Sequence, residues 1–143
     1  MPSFSRLTLL AAMMFATATL PAHAADACSL LTTSQVSAAM GTPAKGPIPG
    51  PKNCVWNTVN GKGTTYLTLR DASAYDRFKA SAQAVGEYTA VSGLGDDAFF
   101  VADNLYVKKG SNVLLLRAKI SGNTLAQNQA LEKTIAAQAI GKL

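Results

Sequence analysis

The chemistry open to this chain is narrow, because its one histidine and its two cysteines stand where most catalytic roles are closed to them. His23 lies between Ala22 and Ala24, a small-x-small pattern at the end of an apolar N-terminal segment. Signal peptidase cleaves after such a pattern, and removal of residues 1–24 would take the only imidazole with it. Nucleophile activation by histidine, proton shuttling near neutrality and the usual zinc or haem ligation then lose their main residue. Cys28 and Cys54 remain. An exported chain meets an oxidising compartment, where a disulfide is the default state of such a pair.

Asp96 and Asp97 follow Gly93-Leu94-Gly95. Neighbours on a strand point to opposite faces, which is wrong for an acid and base sharing one substrate. The glycine run is too short for a phosphate cradle, two carboxylates would repel phosphate, and the spaced acidic loop of a calcium site is absent. A tight turn entering a strand, with Asp96 accepting from backbone amides, accounts for the motif. No catalytic residue, metal ligand or cofactor is expected.

The N-terminal segment reads as an address. Arg6 gives a weakly positive start, Leu7 to Leu20 is an apolar run of 14 residues, and Pro21 breaks it. A membrane-spanning helix needs about 20 apolar residues, so a cleaved signal peptide is the expectation. An uncleaved anchor and lipid attachment at Cys28 are the alternatives, although Ala25-Asp26-Ala27 matches a lipidation signal poorly. Cleavage after Ala24 leaves 119 of the 143 residues, with 12 basic and 8 acidic side chains and a net charge of +4. That suits a single domain over residues 25–143, periplasmic or secreted, and monomeric. A disulfide would close a loop of about 27 residues and contribute about 3.5 kcal/mol.

Three helices are signalled. Thr32 with Gln35 forms a capping box for a helix ending at Met40 before Gly41, and Thr124 with Gln127 does the same for one carrying Leu131, Ile135 and Ala139. Ser73 with Asp76 would start the second, running to Ala84. Between them the period changes to two. Strands over 54–58 and 64–70 form one hairpin, and runs over 98–102, 105–109 and 112–120 form a meander with turns at Asp103-Asn104 and Gly110-Ser111. The proline-rich stretch from Gly41 to Pro51 can form neither helix nor central strand, and is expected to carry little structure of its own. The implied fold is α+β: an antiparallel β-sheet of about five strands with helices packed on it.

The register of the meander sorts its side chains. Leu105, Val107, Leu114 and Leu116 share a core face, with Val107 opposite Leu114, Leu105 opposite Leu116, and Phe100 opposite Val107. Phe99, Tyr106, Lys108, Arg117 and Lys119 share the other, which is apolar near the turns and basic at its far end. These five residues are the candidate binding surface, since aromatic area beside fixed positive charge suits an acidic polymer or a protein rim. A helix covering the apolar half, with the cations reaching solvent along their stems, is the plainer alternative.

Several short motifs resemble a known group. Ala27-Cys28-Ser29-Leu30-Leu31-Thr32, the strand Cys54-Val55-Trp56 and the turn from Gly93 to Ala98 are similar to small secreted bacterial domains of unknown function, many of them mycobacterial and actinobacterial lipoproteins. The resemblance implies an α/β/α sandwich of the Mog1/PsbP-like kind and brings no activity with it. The resulting expectation is a non-enzymatic envelope domain that binds an unidentified envelope protein or anionic polymer, with at most weak contact to a membrane surface. The scattered basic residues and the export address argue against nucleic acid. A small secreted hydrolase using Asp, Ser, Tyr or Lys, and a structural envelope protein, are the alternatives.

Overall fold

The computed structural model describes residues 26–143, so the expected signal peptide over residues 1–24 lies outside the described residues. Seven strands form one antiparallel sheet: β1 (Ala44–Pro49), β2 (Asn53–Thr58), β3 (Gly63–Asp71), β4 (Tyr88–Val91), β5 (Asp97–Val101), β6 (Asn104–Lys109) and β7 (Asn112–Ile120), in the order β1-β2-β3-β7-β6-β5-β4. The helices are α1 (Thr33–Met40), α2 (Tyr75–Ala84) and α3 (Leu125–Ile140). Among the described residues no helix is long and apolar enough to cross a membrane.

This corrects the expected five-stranded sandwich, and both additional strands are edges. β1 contains Pro47 and Pro49. A proline-bearing segment is excluded from a central strand, but at an edge the missing N–H faces away from the ladder. β1 pairs only with β2, and its register slips between Lys45 and Ile48. β4 is four residues long with half-exposed ends, too short to show a periodic pattern. β3 and β7, nine residues each, meet in the centre with Tyr66 opposite Arg117 and Thr64 opposite Lys119.

Both capping boxes form. The Thr32 and Thr124 hydroxyls accept from the amides of Gln35 and Gln127, whose side chains accept from the threonine amides in return. Ser73 does not start α2. It sits in a 3₁₀ turn over Ala72–Ala74, and α2 begins without a side-chain cap. The β6–β7 register is the expected one. The β5–β6 turn is Ala102-Asp103, one position earlier than the Asp-Asn composition indicated, and Ala102 takes the left-handed conformation at φ 51°. Phe100 therefore faces Leu105 rather than Val107. Moving a two-residue turn by one position shifts the register by two, which preserves the faces.

The main core lies on one face, where α1 and α3 pack on Trp56, Leu67, Leu105, Val107, Leu114 and Leu116, all fully buried. The disulfide joins Cys28, in a 3₁₀ turn over Ala27–Ser29, to Cys54 in β2, with Cα atoms 5.0 Å apart. The opposite face is covered on one half only. There Tyr75, Phe78 and Ala82 of α2 pack on Phe99, Tyr106 and Val113.

Candidate functional site

Half-coverage by α2 divides the five residues of the expected binding surface. Phe99 is fully buried, stacked on Tyr106 with ring centroids 4.8 Å apart and meeting the edge of Tyr75 at 5.3 Å. Tyr106 also packs against Phe78, and burial pushes its hydroxyl above the usual range. Lys108 places its ammonium 5.7 Å from the centre of the Tyr75 ring. These three belong to the α2 packing, because ring area next to a helix is removed from water while a lysine stem reaches past it. Arg117 and Lys119 are separated from them and exposed.

Arg117 and Lys119 instead line an open groove of about 550 Å³ over β3 and β7, bounded by the β2–β3 turn and the start of β6. Tyr66 and Leu115 contribute its apolar part, and Lys62 adds a third cation from the turn. Alternation places Tyr66 and Thr64 of β3, and Leu115, Arg117 and Lys119 of β7, on the same face. Same-face neighbours along β7 stand roughly 7 Å apart, so the cations form a short row beside the tyrosine. The ring is fixed at its far end, where the Tyr66 hydroxyl accepts a hydrogen bond from the Asn53 side-chain amide.

The charges in the groove are unequally occupied. Asp103 accepts from Arg117 at both Nε (3.0 Å) and Nη2 (2.7 Å), which orients the guanidinium and leaves Nη1 uncommitted to that carboxylate. Among the described residues neither Lys62 nor Lys119 has a carboxylate within ion-pair distance. Among the described residues no Asp or Glu lines the groove.

The acidic pair near the glycine turn works structurally. The Asp96 carboxylate accepts from the Gly110 amide at 2.7 Å, which holds it below the usual carboxylate range and ties its turn to the β6–β7 hairpin. Gly95 is required there, since a Cβ would lie 2.5 Å from the Lys108 carbonyl oxygen. Asp97 pairs with Lys79 of α2 at 2.6 Å and is lowered by that hydrogen bond. Among the described residues no three His, Cys, Asp or Glu side chains are grouped as a metal site would need.

One carboxyl has a different character. Glu132 of α3 is fully buried and accepts from the Ala118 amide at 2.8 Å, while Asn128 accepts from the Ile120 amide at 3.2 Å. The β6–β7 ladder ends at Leu105 opposite Leu116, so the last amides of β7 on that side have no strand partner. α3 supplies side-chain acceptors instead. Desolvation raises the Glu132 pKa to about 8, so its carboxyl is neutral at moderate pH. It does not line the groove.

Sequence reading passed over Tyr66, Lys62 and Glu132. The signal for Tyr66 was available in the length of β3 and β7, since the two longest strands belong at the sheet centre. Glu132 stands four residues after Asn128 and one after Leu131, on the buried stripe of the helix. The chain matches no protein-family model, no curated protein and no solved structure.

Proposed function

We propose that this protein is an exported, non-enzymatic domain that binds an anionic partner at the cell envelope through the groove over β3 and β7. One observation carries this reading: the half of the sheet face that α2 leaves open gathers Lys62, Arg117 and Lys119 around an exposed tyrosine and Leu115, with no carboxylate among the groove residues. Asp103 offsets Arg117, whereas among the described residues Lys62 and Lys119 have no carboxylate within ion-pair distance, and an anionic ligand would supply their counter-charge. The Cys28–Cys54 disulfide accords with an oxidising compartment, as does the N-terminal address. A hydrolase would need an activated nucleophile at the groove, and among the described residues the hydroxyls of Thr64, Tyr66 and Ser121 have no hydrogen bond to a carboxylate or lysine that would activate them. The carboxyl with a strongly raised pKa, Glu132, is spent on the end of β7.

The test is sedimentation of the purified domain with an isolated envelope fraction. Wild-type protein is expected to co-sediment at low salt and to be released near 1 M salt, where the screening length falls to about 3 Å. The double variant Lys62→Glu, Lys119→Glu should stay in solution at every salt concentration with an unchanged melting temperature. Retention equal to wild type would remove the groove as the binding site.

A further inference from the structure

The groove has more than a bare anion site requires, and the surplus narrows its ligand; this inference rests on the binding role proposed above. Tyr66 is 39% exposed although its hydroxyl is anchored to Asn53, so the ring is presented as a fixed apolar platform. Leu115 extends that platform on the neighbouring strand. The walls carry hydroxyl and amide groups from Thr64, Asn104 and Ser121. Thr64 donates its proton to the Asn57 side-chain oxygen at 3.0 Å, which leaves the hydroxyl oxygen as an acceptor facing outward from that bond. Charge, ring face and hydrogen-bonding groups thus occur together within one concavity.

We infer that the groove takes an acidic saccharide, a segment of a polymer whose sugar rings carry carboxylates. Such a ring has a C–H face, a rim of hydroxyls and one negative group. Tyr66 and Leu115 bury the face, the wall hydroxyls and amides meet the rim, and Lys119 with the Asp103-held Arg117 guanidinium receives the carboxylate. Polyphosphate has the charge but no C–H face, and would leave the platform exposed to water. A bilayer surface engages protruding apolar side chains, whereas this platform lies inside a concavity.

Titration with hexagalacturonate, followed by calorimetry and by backbone amide shifts, tests this. Binding should be saturable, with shifts centred on Thr64, Tyr66, Leu115 and Lys119. Tyr66→Ala should weaken it about tenfold, and Tyr66→Phe, which keeps the ring, by no more than about threefold. The methyl-esterified oligomer should bind about tenfold more weakly than the acid. Melting curves of both Tyr66 variants check that the fold is retained. Polyphosphate binding that ignores Tyr66→Ala, or binding only to phosphatidylglycerol vesicles, would overturn the saccharide assignment and leave the anionic-partner reading standing. Hexagalacturonate shifts mapping away from the groove would also overturn it. No binding of any of the three at low salt would remove both.

Discussion

Glu132 shows how a single residue is governed by where an element stops. β6 does not extend beside the end of β7, so the Ala118 amide needs an acceptor, and a carboxyl on α3 provides one at 2.8 Å. The second oxygen of that carboxyl is buried without a partner. Its folded pKa of about 8 lies above the ordinary glutamate value of 4.5, so the folded state holds the proton more tightly than the unfolded chain. Stability from this group is therefore full below pH 4.5 and is lost as pH rises through about 8. Glu132→Gln keeps an acceptor for Ala118 and cannot ionise. Its melting temperature should match wild type near pH 4 and exceed it at pH 8.5, and a constant difference between the two across that range would contradict a neutral buried carboxyl. The two faces of the sheet give a second contrast. Leu116 is fully buried, so Leu116→Ala should cost about 2–5 kcal/mol in urea unfolding. Lys108→Ala, which gives up one contact between an ammonium and the Tyr75 ring, should cost under about 1 kcal/mol. Equal losses would mean that the faces had been exchanged.

Elements with local signals were the ones legible in the sequence. The capping boxes at Thr32 and Thr124 announced α1 and α3 because every group involved lies within one turn. The same composition at Ser73 and Asp76 did not produce a cap, since the chain leaving β3 first makes a 3₁₀ turn and only then enters α2. Thr124→Ala should accordingly destabilise the domain by about 1 kcal/mol, whereas Ser73→Ala should change the denaturant midpoint little, as Ser73 makes no cap bond. A loss at Ser73 equal to that at Thr124 would mean that α2 is capped after all. The edge strands were illegible for an opposite reason. β1 lacks alternation and carries prolines, and its strand character comes from β2 beside it rather than from its own residues. The groove was half legible. Arg117 and Lys119 follow from the β6–β7 hairpin, which is local, but Tyr66 joins them through the β3–β7 pairing, whose partners are far apart in sequence. Phe99, Tyr106 and Lys108 stand on the expected face, but no local signal tells which half of a face a short helix will cover.

At the scale of the whole molecule the Cys28–Cys54 bond encloses α1 and β1, the latter being the strand with the weakest local support. Two accounts of its effect make different demands. If the bond only clamps a loose segment, its loss is felt in residues 29–50 and nowhere else. If it acts on the unfolded chain, its loss lowers the stability of everything that unfolds together with that segment. The packing favours the second account. Val36 and Met40 of α1 are buried in the same core as Leu114, Leu116 and Ile135, so α1 cannot leave without opening the centre of the sheet. Replacing both cysteines by alanine should therefore cost about 2–5 kcal/mol and lower the melting temperature by roughly 10 °C or more. Native-state hydrogen exchange separates the accounts more sharply. The entropic contribution of about 3.5 kcal/mol predicts that the amides of Leu114 and Leu116, at the centre of β7, exchange several hundredfold faster in the double variant. Faster exchange confined to α1 and β1, with β7 amides unchanged, would show the bond to be a local clamp and the seven-stranded sheet to be stable without it.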